Sequence, residues 1–149
     1  MTVRVRIATA EDLDAWAGLR QRLWPELSLE GHRDEIREAL GEPDRLVAFL
    51  AIGPAGDVVG LAEASLRSDY VNGCETSPAA FLEGIIVDPA ARRSGIAVAL
   101  VAAVCGWARA LGVREIASDA DLDNHASHAL HAALGFQETE RVVYFRKVL

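Results

Sequence analysis

Two sets of residues in this 149-residue chain have the types and spacing to do chemistry together. The first is the turn Arg92-Arg93-Ser94-Gly95-Ile96-Ala97. Backbone N–H groups from about Arg93 to Val98 would open a helix there, and Gly95 lets the chain come close to an anion. The helix dipole and two arginines add positive charge, so the turn suits a phosphate. The second set is acidic. Glu83 is the lone carboxylate in the apolar run Phe81-Leu82-Glu83-Gly84-Ile85-Ile86-Val87, and Asp119 closes the short run from Glu115. A charge inside an apolar strand is seldom buried without a partner, so each is a candidate for binding or proton transfer. His125, His128 and His131 stand at i, i+3 and i+6 of a helical stretch and spread too far around it to face one ion, so no metal site is read there. Cys74 and Cys105 have no base placed beside them by any motif, and Cys105 lies mid-helix as a packed residue.

These residues need elements to hold them. Thr2 to Ile7 alternates like a strand with one wet face. Thr9 with Asp12 three residues on is a capping-box pattern. Leu13, Trp16, Leu19 and Leu23 follow at helical steps to about Trp24, where Pro25 stops the helix. A second helix is expected from Ser28 to Leu40. Leu46 to Ile52 reads as a buried strand, and the turn Pro54-Ala55-Gly56-Asp57 joins it to a strand from Val58 to Leu66. Arg67 to Ala79 reads as a surface loop, and Tyr70 in it is a reasonable substrate contact. The strand ending at Val87 follows, then the glycine turn. Next is a helix with Ile96, Leu100, Val104, Trp107 and Leu111 on one face and Gly112 past its end. A short strand from Glu115 to Asp119, a helix from His125 to Leu134 and strands over Phe136–Thr139 and Arg141–Val148 complete the chain. The order βααβββαβαββ makes an α/β domain with a central mixed, largely antiparallel sheet and about four helices, one domain over residues 1–149.

Composition limits the function. At 51% apolar and 25% charged residues the chain is globular. No apolar run approaches the roughly 20 residues of a membrane span, and the N-terminal stretch has no signal-peptide core, so a cytoplasmic protein is expected. A net charge of -7 argues against a nucleic-acid partner and is compatible with a cationic small molecule.

Val87-Asp88-Pro89, Arg92-Arg93-Ser94-Gly95-Ile96-Ala97, Asn124 and Leu134-Gly135-Phe136 resemble the acetyl-CoA signature of the GCN5-related N-acetyltransferases (GNAT), in order along the whole chain. Leu23-Trp24-Pro25, Asp69-Tyr70-Val71-Asn72-Gly73-Cys74, Phe81-Leu82-Glu83-Gly84-Ile85, Ala117-Ser118-Asp119 and Glu138-Thr139-Glu140-Arg141 resemble one subgroup of it, the aminoglycoside 6'-N-acetyltransferases. The resemblance implies the GNAT fold, acetyl-CoA as co-substrate with no metal, and a homodimer. It implies that the backbone of Ile85, Ile86 and Val87 pairs with the pantetheine arm. The amides of Arg93, Ser94, Gly95, Ile96, Ala97 and Val98 would take the pyrophosphate, and Asn124 would touch the cofactor. Trp24, Tyr70, Glu83, Asp119 and Glu140 match positions that contact the aminoglycoside. Two positions depart from relatives. His131 stands where many members outside the subgroup carry a tyrosine that protonates the leaving thiolate, and Leu27 stands where some subgroup members have histidine.

The expected reaction is direct transfer of acetyl to a primary amine in a ternary complex. An alkyl amine with a pKa near ~10.4 is mostly protonated at neutral pH, so Asp119 or Glu83 is needed to accept a proton. General-base help supplies roughly 3–5 kcal/mol, against roughly 7–11 kcal/mol for positioning two bound reactants. Two alternatives use the same residues: a related enzyme acting on a polyamine or a protein N-terminal amine, and a non-catalytic acyl-CoA-binding regulator.

Overall fold

The structure, a computed structural model, describes residues 3–149; Thr2, expected to begin the first strand, lies outside them. Strand β1 (Arg4–Ile7) is followed by a 3₁₀ turn (Ala10–Asp12) and helix α1 (Leu13–Leu23). The expected capping box is present: the Thr9 backbone N–H donates to Asp12 Oδ2 at 2.8 Å. Helix α2 (Leu29–Leu40) begins at Ser28, whose hydroxyl oxygen accepts from the Gly31 N–H. Strands β2 (Leu46–Ile52), β3 (Val58–Arg67) and β4 (Ala79–Val87) follow, then helix α3 (Ile96–Ala110), strand β5 (Ile116–Ser118) and helix α4 (His125–Ala133).

The sheet order is β1-β2-β3-β4-β5, antiparallel throughout except that β5 runs parallel to β4. Alternation along the strands supplies two apolar faces. Trp16, Leu19 and Ile36 of α1 and α2 pack with Leu50, Ile52 and Leu61 on one face. Ile96, Leu100 and Val104 of α3 pack with Phe49, Ala62 and Leu82 on the other. Leu111, expected on the buried face of α3, is instead 45% exposed beyond the last helical turn.

The final two strands expected from the sequence do not form: residues 137–149 make no ladder. A β-rich sequence becomes a strand only where an edge receives it. Here residues 137–149 form an arm that is exposed along its whole length. At its root Thr139 packs on the Asp69–Cys74 turn, so closely that a Cβ on Gly73 would lie 2.2 Å from Thr139 Oγ1.

Candidate active site

The site is built where β4 and β5 part. Ala80, Phe81 and Leu82 pair with Ile116, Ala117 and Ser118, and there β5 ends. Beyond that point β4 keeps its ladder to β3, from Gly84 opposite Glu63 to Val87 opposite Gly60. Its other edge has no strand partner among the described residues from Glu83 to Val87. Ile85, Ile86 and Val87 therefore offer backbone donors and acceptors to whatever lies along that edge.

The anion turn lies at the far end of this open edge. After a 3₁₀ turn over Pro89–Ala91 the chain enters the left-handed region twice, at Arg93 (φ 66°) and Gly95 (φ 76°). Ser94 ties the turn down by donating to Ala91 O at 2.5 Å. The first intrahelical bond runs from Ala99 N to Gly95 O, so the N–H groups of Ile96, Ala97 and Val98 have no helical carbonyl to meet. A Cβ at Gly95 would touch nothing within 4 Å, so the glycine answers to its backbone angle and not to space. Neither Arg92 nor Arg93 has a carboxylate partner among the described residues. Asn124 caps α4, its Oδ1 accepting from Ser127 N at 3.1 Å, so its amide nitrogen is the part left for a ligand.

At the other end, Glu83 owes its direction to a β-bulge. Glu63 pairs with Gly84 and Ala64 with Leu82, so Glu83 is the extra residue. The bulge reverses the alternation, so that Leu82 and Ile85 both pack on the α3 face. Glu83 and Gly84 face the α1–α2 side. There Trp24, just past α1, lies against Gly84; a Cβ on Gly84 would meet Trp24 Cζ2 and Leu23 Cδ2 at 2.6 Å. The Glu83 carboxylate accepts from Ser65 Oγ at 2.6 Å and from Arg67 at 2.9–3.2 Å, and Arg67 in turn lies over the Phe81 ring.

Trp24 and Glu83 line one cleft of about 390 Å³ together with four further charged residues, Arg20, Glu26, Glu35 and Glu63. Four carboxylates face Arg20 here, with Arg67 paired to Glu83 beside them, and the surplus of negative charge suits a cation. Its wall is fixed by a network that the sequence reading missed. Arg20, 7% exposed, donates to Glu63 at 2.6 Å, to Glu35, and through Nε to His32 Nδ1 at 3.1 Å. Trp16 Nε1 donates to the other oxygen of Glu63 at 2.7 Å. His32, fully buried, lies with Nε2 3.0 Å from Trp24 O. An arginine Nε–H only donates and a carbonyl only accepts, so His32 is the neutral tautomer with its proton on Nε2. The Arg20 guanidinium also lies 5.0 Å from the Trp24 ring centroid. The signal was present: Arg20 is four residues past Trp16 and His32 four before Ile36, both on apolar helix faces, and Glu63 is a lone carboxylate in an apolar strand.

The other expected residues fall around this cleft without all entering it. Tyr70, 75% exposed, lines a neighbouring cleft with Arg67 and Asp69. The loop carrying it is fastened to the sheet by Glu115, which accepts from Glu75 N, Thr76 N and Thr76 Oγ1. Those bonds, first among them the Thr76 hydroxyl, hold the Glu115 carboxyl below its ordinary pKa. Asp119 follows Ser118 on the other side of the gap and is exposed. Glu140 lies on the exposed arm.

A parted parallel pair, a left-handed turn with free helix amides behind it and an acidic cleft before it lie along one strand. The chain belongs to the acetyltransferase (GNAT) family, whose model matches residues 13–136, and within it groups with the aminoglycoside N(6')-acetyltransferases. It is 54% identical over 143 residues to an aminoglycoside N(6')-acetyltransferase type 1 of Serratia marcescens, covering 96% of this chain and 97% of that one. A crystal structure of an aminoglycoside antibiotic 6'-N-acetyltransferase from Acinetobacter baumannii superposes with a TM-score of 0.94 at 45% identity, covering 99% of both chains. Another such enzyme, solved with a bisubstrate analogue joining CoA to acetylneamine, superposes at 0.93 with 44% identity over 100% of both chains.

Proposed function

We propose that this protein transfers the acetyl group of acetyl-CoA to the 6'-amino group of aminoglycosides by direct attack of the amine in a ternary complex. The observation that carries this reading is the open edge of β4, which runs from the left-handed turn at Arg93–Gly95 to the bulged Glu83. A pantetheine arm laid on Ile85–Val87, with its pyrophosphate on the amides from Arg93 to Val98, ends beside the acidic cleft. The relative solved with a CoA–acetylneamine conjugate supports the same pairing of donor and acceptor. Trp24, Glu83 and Asp119 bind and orient the ammonium in this reading, with Tyr70 and Glu140 as outer contacts. Glu83 already accepts from Ser65 and Arg67, whereas Asp119 has no hydrogen-bond partner among the described residues, so Asp119 takes the proton that frees the amine.

The acting unit in this reading is a homodimer in the cytoplasm, where acetyl-CoA is made and used. The arm supports the dimer: Val143, Tyr144, Phe145 and Val148 are exposed on it, an apolar run that a lone chain in water would keep covered. No helix among the described residues is long and apolar enough to cross a membrane.

Mass spectrometry of kanamycin incubated with the protein and acetyl-CoA tests the reaction. One added acetyl group, located at the 6' amine, is expected; acetyl-CoA binding without acetylated drug defeats the reading. Asp119→Ala is expected to lower kcat by about 10²-fold or more and to raise the KM for kanamycin. Wild-type values for both constants would remove Asp119 from the mechanism.

A further inference from the structure

Ser118 ends β5 at the point of parting, opposite Leu82, the last β4 residue that β5 pairs. Its Oγ lies 2.7 Å from His131 Nε2 and 3.4 Å from Leu82 O. On the far side of the ring, His131 Nδ1 lies 2.7 Å from Ser127 O. A carbonyl oxygen only accepts, so Nδ1 holds a proton toward Ser127 O, with Ser127 Oγ 3.2 Å from the same nitrogen, and Nε2 is the ring nitrogen that meets the Ser118 hydroxyl. Phe136 packs edge-on against the imidazole, with ring centroids 5.2 Å apart, and fixes its plane. A hydroxyl bonded to an oriented imidazole base is the arrangement that moves protons. Its place in the sheet gives it a use: Val87 to Leu82 spans about 17 Å along the open edge, so an acyl-carrying arm anchored at the anion turn ends at Ser118.

We propose that Ser118 and His131 form the proton relay of the transfer, which rests on the acetyl-transfer reading above. Asp119 takes the first proton, from the ammonium. When the neutral amine attacks, the C–N bond forms, the C–S bond breaks, and a second proton leaves nitrogen while one must reach sulfur. The Ser118 oxygen accepts the proton from nitrogen as its own passes to His131 Nε2. The imidazolium then returns a proton through Ser118 to the departing thiolate. Hydroxyl and neutral imidazole are restored, and the products are the amide and the free thiol of CoA.

Single-turnover acetylation of limiting kanamycin by excess full-length protein saturated with acetyl-CoA tests the relay. Ser118→Ala is expected to slow the transfer by about 10²-fold. His131→Asn is expected to do the same, because an asparagine amide can keep an N–H on Ser127 O while removing the acceptor nitrogen. The double variant should be no slower than the slower single one, since one relay is lost only once. Dissociation constants for kanamycin and acetyl-CoA should stay within about two-fold of wild type. If Ser118→Ala folds poorly, His131→Asn decides. Variants that melt early and bind weakly yet transfer at the wild-type rate, or losses that multiply in the double variant, overturn the relay. No turnover in the wild-type protein overturns the acetyl-transfer reading and the relay with it, whereas wild-type turnover with undiminished variants overturns the relay alone.

Discussion

At the scale of the residue, Gly84 and Arg20 hold the proposed acceptor cleft in shape. Gly84 admits the Trp24 ring because it has no side chain, and the atoms a Cβ would meet at 2.6 Å belong to Trp24 and Leu23, both packed. Gly84→Ala is expected to displace Trp24, raising the KM for kanamycin by about ten-fold, roughly 1.4 kcal/mol, with the KM for acetyl-CoA unchanged. Equal rises in both constants would show that the alanine disturbs the donor edge as well. Arg20 is a structural partner rather than a contact for chemistry. Arg20→Met leaves the Glu63 carboxylate, 14% exposed, with Trp16 as its one remaining donor and no opposite charge, and leaves His32 Nδ1 without its donor. Removing one side of a buried pair costs about 3 kcal/mol or more, which for a chain of this size is a fall in melting temperature of roughly 6–12 °C. Thermal denaturation followed by circular dichroism checks it, and a fall below about 2 °C would mean that Glu63 reaches water.

At the scale of the element, two devices set where chain segments begin and turn. In the proposed function the bulge at Glu83 lets one strand serve both substrates: before it the alternation fits the pairing with β5, and after it the side chains have changed face. The capping box at the start of the first helical segment is the other. Arg6, through hydrogen bonds of 2.8 Å, holds the Asp12 carboxyl down at about 2, with the Thr9 N–H adding to it. The folded value lies below the unfolded one of about 3.9. The cap therefore stabilises fully above that unfolded value and is lost as pH falls through the folded value. Its worth at neutral pH is about 1–2 kcal/mol, trimmed by the exposure of Arg6. The difference in melting temperature between wild type and Asp12→Asn is expected to be largest at neutral pH and to vanish near pH 2. A difference constant over that range would contradict the ion pair.

At the scale of the whole molecule, the arm from Gln137 to Leu149 is the part that the body does not cover. Val142–Phe145 is an apolar, strand-prone run, and an unpaired run of that kind associates. Truncation after Phe136 is expected to convert a dimer to a monomer in sedimentation velocity while the far-ultraviolet spectrum of the remaining fold persists. A full-length protein that sediments as a monomer would remove the proposed dimer.

Much of this was legible in the sequence, and the reasons are local. Periodicity and caps marked β1 through α4 to within a few residues, since Thr9–Asp12, Ser28 and Gly95 act on their own neighbours. The anion turn was readable for the same reason: its amides are successive in the chain. The Glu83 carboxylate stood out because a charge in an apolar run is costly. What only the tertiary structure decided depends on partners far apart in sequence. The bulge that aims Glu83 arises from its register against Glu63 and Ala64. The Arg20–Glu63 pair spans 43 residues and the Ser118–His131 contact 13. The terminal strands did not form although β5 has no second strand neighbour among the described residues, because pairing depends on how side chains pack against the receiving sheet, which propensity does not carry.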